Sequence, residues 1–193
     1  METLIDELAT RAKMDPIEYR LSLLTPEAVK LRHVLTLLRE KSAWRDSLPP
    51  NHAVGIACAD YLDTGIACAA EVSIEDNRPG IHRVTVCIGC GLPVNPLSIE
   101  AQCQGAIGFG LTQLVAGGAI TLKDGEVEQS NFDGFRPPYI TDAPVAIDVH
   151  IVPSTDAPVG VGEAAVPIVS PAVVNALARL TRKRYRSLPL QNA

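Results

Sequence analysis

The chain opens on apolar residues spaced three and four apart. Leu4, Ile5, Leu8, Ala9 and Ala12 would share one face of a helix. Asp15-Pro16 reads as an N-cap followed by proline at the first helical position, leading into Ile17 through Leu24. Thr25-Pro26-Glu27 repeats that start signal. Leu31, Val34, Leu35 and Leu38 then mark the inner face of a third helix that ends near Trp44. Ser47-Leu48-Pro49-Pro50-Asn51 breaks the pattern, and short dense apolar runs follow. Residues 53–60, 66–74 and 81–87 predict strands, with a turn at Asn77-Arg78-Pro79-Gly80 between the last two. Helical spacing returns from residue 97 to about 115, with Gly105, Gly108 and Gly110 inside it. Glycine costs a helix interior roughly 1 kcal/mol relative to alanine, so these positions imply close packing or the approach of a ligand. Lys123-Asp124-Gly125-Glu126 reads as a hairpin turn, and residues 146–152 as a strand. Ser170-Pro171 would start a last helix reaching about Arg182, and residues 185–188 a closing strand. Helices both precede and follow a strand-rich middle, which predicts an α+β fold. The division expected is an N-terminal helical segment, 1–46, and an α+β domain, 47–193.

Composition narrows the picture. Of 193 residues 47% are hydrophobic but only 4% aromatic, so the core must be built from Ala, Val, Ile and Leu. The net charge is -5, and the basic residues are scattered apart from Arg179-Leu180-Thr181-Arg182-Lys183-Arg184. That run is expected to be a solvated helix end, where cations suit the helix dipole. Nothing here suggests a nucleic-acid partner. No apolar run is long enough for a bilayer, so no direct membrane span is expected. The N-terminus, Met1 to Glu7, is acidic and amphipathic, unlike a secretory signal. Five cysteines lack a disulfide-scaffold spacing and read as reduced core residues, which gives a cytoplasmic expectation.

Three places could carry chemistry. Cys87-Ile88-Gly89-Cys90 is half of a zinc site at best, with His82 on the preceding strand, and reads as buried structural thiols. His33, His52, His82 and His150 lie on different elements and form no ligand set. Gln102-Cys103-Gln104-Gly105 opens the glycine-containing helix. Gln102 can both donate to and accept from a heterocycle or phosphate-bearing cofactor, or can face solvent. Gly160-Val161-Gly162-Glu163 sets a carboxylate directly behind two glycines. One reading is a general base beside closely approaching backbone, its pKa raised by apolar surroundings. The other is a turn that caps a surface helix, with Glu163 at the positive N-terminus.

Taken in order, the segments Asp15-Pro16-Ile17-Glu18-Tyr19-Arg20, Ala70-Glu71-Val72-Ser73, Cys90-Gly91-Leu92-Pro93-Val94-Asn95-Pro96, Gln102-Cys103-Gln104-Gly105, Gln129-Ser130-Asn131-Phe132 and Gly160-Val161-Gly162-Glu163 form a pattern. It resembles the C-terminal part of the large, molybdopterin-binding subunit of the xanthine dehydrogenase/aldehyde oxidase family. The likeness is greatest to the isoquinoline 1-oxidoreductase beta-subunit and aldehyde dehydrogenase branch. The resemblance implies helices packed on a mixed β-sheet. It also implies hydroxylation of an aldehyde or N-heterocycle at a C–H carbon, with water as oxygen donor. Glu163 matches the family's base. Gln102 would hydrogen-bond the cofactor, and backbone at Gly160, Val161 and Gly162 would lie against it. The cofactor implied is molybdenum-molybdopterin, in its cytosine dinucleotide form. A 2Fe-2S subunit would carry the electrons away. The N-terminal part of the molybdopterin subunit would be a partner chain. By the same resemblance the periplasmic face is an alternative compartment, reached by export with partners. Two positions depart from the pattern: Gly89 stands where the branch tends to have Asp, and Gln104 where the family tends to have Glu. They leave a second expectation open, a non-catalytic remnant, fragment or interaction module that keeps the fold.

Overall fold

The structure, a computed structural model, describes residues 1–190 apart from 43, 45, 46, 76, 77 and 115. Three helices lead: α1 (Glu2–Arg11), α2 (Pro16–Leu23) and α3 (Val29–Lys41). Three long strands follow: β1 (His52–Tyr61), β2 (Thr64–Glu75) and β3 (Arg78–Gly89). Then come α4 (Pro96–Gly110), the small hairpin β4 (Leu122–Lys123) and β5 (Glu126–Val127), β6 (Ala146–Ile151) and α5 (Val166–Thr181).

The main sheet has the order β1-β2-β3-β6. Its first two pairings are antiparallel and the β3–β6 pairing is parallel, so the sheet is mixed. A parallel pair needs a long crossover, and α4 with the segment after it supplies one. The first three strands bury residues on both faces, and β6 is half-buried throughout. Ile66, Cys68, Ala70 and Val72 of β2 join Ile107, Ile168, Val173 and Leu177 in one core. Ala67 and Ala69 of β2 turn the other way, onto Ile17, Val34, Leu35 and Leu38 of α2 and α3. The result is an α/β/α sandwich, with small residues in the middle layer that bring the helices close.

Local chemistry explains the boundaries. The side chain of Asp15 caps α2, its Oδ1 accepting from Ile17 N at 2.8 Å and Glu18 N at 3.1 Å. By contrast α3 begins at Val29 without a side-chain cap, later than Thr25-Pro26-Glu27 suggested. Between the middle strands, Asn77 lies outside the described residues, and Arg78, Pro79 and Gly80 belong to β3. The fourth helix ends at Gly110 and passes into a short 3-10 turn, Leu111–Gln113, while Val115 lies outside the described residues. The last helix starts four residues before Ser170, with Pro167 in its first turn. Buried Ser170 does not cap it. Its hydroxyl crosses to the carbonyl of Gly110 at 2.8 Å.

One expectation fails here. Residues 185–188 form no strand. The outer edge of β1 is already taken by side chains. Asn175 donates to Ile56 O at 2.9 Å, Arg179 to Val54 O at 2.8 Å, and Arg20 to Ile56 O at 3.2 Å. Cys58 N donates to Glu2 Oε2 at 2.8 Å. An edge strand with its backbone groups so occupied has nothing left to pair with. The segment after α5 turns instead to α1, where Arg184 reaches Asp6. Thus α1 docks on this chain through Glu2, Asp6 and Ala9, while Leu4 and Leu8 stay exposed.

Candidate functional site

The ends of β1, β3 and β6 and the start of β2 meet at one end of the sheet. The β1–β2 turn there has both central residues in the left-handed region, Leu62 at φ 48° and Asp63 at φ 65°. Such a turn matches the twist of the flanking strands. Lys30 Nζ braces it by donating to Asp63 O at 2.7 Å. Beside it lies the corner after β3. Gly91 has φ 76°, and a Cβ there would stand 2.2 Å from Ala157 O, so only glycine fits. Leu92 N donates to Asp156 O at 2.9 Å, and Val159 N donates to Cys90 O at 3.0 Å. These bonds pin the segment after β6 against the corner and deliver residues 160–163 to the sheet end.

There Gly160 O accepts from Thr64 Oγ1 at 2.7 Å, and Glu163 Oε1 accepts from Tyr61 Oη at 3.2 Å. Val166 N donates to Glu163 O at 2.9 Å as α5 begins. Glu163 therefore stands at the positive end of a 16-residue helix. Its side chain is exposed, so the apolar enclosure expected around it is not supplied by this chain. The reason is architectural: the loop lies over the rim of the sheet, outside both cores. Added Cβ atoms at Gly160 and Gly162 would meet nothing within 4 Å, so bare backbone faces outward at both. Val161 between them is half-buried against the core. The phenol of Tyr61 is held above its ordinary pKa, chiefly because the carboxylate of Glu163 accepts its proton bond and also by that carboxylate's charge.

The structure brings Gly160, Val161, Gly162 and Glu163 together and leaves Gln102 apart. Gln102 lies on the exposed face of α4, and its side chain makes no hydrogen bond with any described residue. Gly105 and Gly108 are equally open, while Gly110 packs so tightly that a Cβ would stand 2.6 Å from Val166 O. Gln104 is engaged locally, donating to Glu100 at 3.3 Å.

The cysteines are structural. Cys87 belongs to the α2/α3 core and Cys90 to the α4/α5 core, so the C-x-x-C pair is split between two layers. Burial pushes the Cys87 thiol up to about 12 and raises Cys90 as well. Among the described residues no three of His, Cys, Asp and Glu are grouped to hold a metal ion. Sequence reasoning missed two features. His52 and His82 stack with ring centroids 4.3 Å apart, and His52 Nδ1 lies 2.8 Å from Glu71 Oε1. A register shift lies between Glu71 and Val72 in the β2–β3 pairing, and no local motif announces it. Tyr61 and Thr64 were passed over too, because Leu62-Asp63 lacks the Asn-Gly signature of a tight turn.

The family described as the molybdopterin cofactor-binding domain matches residues 25–144, more than half of the chain. The chain belongs to that family. It is 30% identical to the membrane-bound aldehyde dehydrogenase (pyrroloquinoline-quinone) of Gluconacetobacter polyoxogenes, over 100% of this chain and 27% of that protein. It is 28% identical to the isoquinoline 1-oxidoreductase subunit beta of Brevundimonas diminuta, over 100% of this chain and 25% of that protein. The chain thus spans about a quarter of the length of these relatives. In fold it is similar to the aldehyde oxidoreductase of Desulfovibrio gigas, with a TM-score of 0.74 at 14% identity over 97% of this chain and 39% of that one. The α+β architecture expected from the sequence is the one that this likeness shows.

Proposed function

We propose that the chain supplies the C-terminal part of the molybdopterin-binding subunit of a molybdenum hydroxylase, which oxidises an aldehyde or N-heterocycle at a C–H carbon with water as oxygen donor. The observation that carries the reading is the loop at residues 160–163, which offers bare glycine backbone and an exposed carboxylate at the end of the sheet. Names of the relatives support the substrate class. The residues fit a large, hydrogen-bonding group such as a pterin. Gly160 and Gly162 leave room for it, and Gln102 has an amide without a partner among the described residues. Molybdenum-molybdopterin, in its cytosine dinucleotide form, would supply the two-electron oxidation when bound.

The chain's own residues then have defined tasks. Glu163 is the general base. Its Oε1 accepts from Tyr61, which leaves Oε2 to take the proton from the attacking oxygen. Gly160, Val161 and Gly162 present backbone to the cofactor, and Gln102 orients it by hydrogen bonding. The N-terminal part of the molybdopterin subunit completes the pocket, and a 2Fe-2S subunit accepts the electrons. Exposed apolar side chains on α4 and after it support a covering partner: Leu97, Phe109, Phe132 and Ile140 are all more than two-thirds exposed. No helix among the described residues is long and apolar enough to cross a membrane. We assign the assembly to the cytoplasm, with the periplasmic face as the alternative.

The test is Glu163→Gln in the assembled enzyme. Turnover should fall by roughly a hundred- to ten-thousand-fold, with molybdenum content unchanged. A variant as active as the parent would remove Glu163 from the base role. A native assembly free of molybdenum would favour the non-catalytic remnant.

A further inference from the structure

Glu163 is exposed, and Gly160 and Gly162 beside it carry no side chain that could pack against the chain. A general base must nevertheless stay within hydrogen-bond reach of the proton that it removes. Something must hold it. Among the described residues, two side chains hydrogen-bond to this loop, and both come from the flanks of the β1–β2 turn, about a hundred residues earlier. Thr64 is fully buried, and its hydroxyl donates a hydrogen bond to Gly160 O at 2.7 Å. Tyr61 Oη donates one to Glu163 Oε1 at 3.2 Å. The two residues are direct cross-strand partners, so their spacing is set by the sheet. Lys30 of α3 locks the turn between them.

We propose that the β1–β2 turn is the positioning device for Glu163: Thr64 fixes the loop at Gly160, and Tyr61 fixes the carboxylate itself. The inference rests on Glu163 being the general base. Tyr61 and Thr64 are positioning residues and take no proton. An aromatic side chain on a strand end has few rotamers, whereas a glutamate on a glycine loop has many. The hydroxyl therefore selects one carboxylate orientation and leaves Oε2 directed to the reacting oxygen.

The contact can be read without turnover. The chain has four tyrosines, and subtracting the absorbance titration of Tyr61→Phe from that of the intact assembly isolates one phenol. That phenol should ionise above the ordinary tyrosine range, and at lower pH when Glu163→Gln removes the charge it faces. An ionisation at the same pH in both backgrounds would overturn the contact. Turnover then tests its purpose. Tyr61→Phe and Thr64→Val should each lower kcat by roughly ten- to a hundredfold with KM nearly unchanged, as a displaced catalytic group does. Thr64→Ser keeps the hydroxyl and should recover most of the loss. Unchanged kcat in both variants would overturn positioning even if the titration moves. Full activity in Glu163→Gln would remove the base and the positioning role together, while a titration that still moves would keep the contact as a structural one.

Discussion

At the scale of single residues, Asp6 does most to hold the ends of the chain together. It is fully buried on α1, with Arg179 Nη2 at 2.7 Å from Oδ1 and Arg184 Nη1 at 3.0 Å from Oδ2. Arg179 also stacks over the Trp44 ring, 4.9 Å from its centroid. Two members of the basic run, Arg179 and Arg184, therefore clamp α1, while Arg182 and Lys183 stay exposed as a helix end does. Removing one member of a buried charge cluster leaves the others unpaired, which costs about 3 kcal/mol. Asp6→Asn should lower the melting temperature by roughly 6–12 °C, read by circular dichroism. A fall under about 2 °C would show that the arginines find other partners. None of this was legible in sequence. An acidic residue in the first turns of a helix looks like dipole compensation, and its partners lie more than 170 residues away.

At the scale of elements, the packing of α5 on β1 depends on the absence of a side chain. A Cβ on Gly55 would stand 2.1 Å from Ala172 O and 2.3 Å from Ala176 N, both backbone atoms. Gly55→Ala must push the helix off the strand, and overpacking of this kind costs about 1–3 kcal/mol or more. Gly105→Ala is the control. Its Cβ would meet nothing within 4 Å, so the helix propensity gained should stabilise the chain by about 0.5–1 kcal/mol. Chemical denaturation of the two variants should give opposite signs, and equal destabilisation would mean that Gly105 is also packed. Most elements were legible because their signals are local. Asp15-Pro16 opens α2, and the dense apolar runs are the three long strands. The start of α5 was misplaced because Ser170-Pro171 has a cap's chemistry in a buried place. Its hydroxyl is used across the α4–α5 contact, where a sequence pattern cannot see it.

At the scale of the whole molecule, packing on both faces of the sheet buries four of the thiols and partly buries Cys58. Burial raises Cys58, Cys87 and Cys103 to about 12 and holds Cys68 well above the ordinary range. In the native protein at pH 8 these thiols should react slowly with an aromatic disulfide reagent, and rapidly once denatured. Fast reaction of the native protein would mean that the sandwich opens. The same burial makes stability fall at high pH. Unfolded thiols ionise around their ordinary value of 9.0, while the folded ones hold their protons to about 12. The contribution is complete below pH 9 and is lost as pH rises through that window. Denaturation midpoints measured from pH 8 to 11 should therefore decline, and a flat profile would contradict the burial.

The sequence by itself determined the fold class, the helices that open the chain, the reduced thiols and the family, because periodicity, capping residues and ordered motifs are properties of neighbouring residues. It also singled out Gly160-Val161-Gly162-Glu163. Only the tertiary structure decided what surrounds that loop. Thr64 and Tyr61 meet Gly160 and Glu163 because strand register brings a turn and a distant loop to one end of the sheet. The same folding sets the two cysteines of one short motif in separate cores and gives the edge of β1 to side chains from α1, α2 and α5. Such pairings depend on which surfaces pack together, and that is settled by the burial of the whole sheet rather than by any local stretch of the chain.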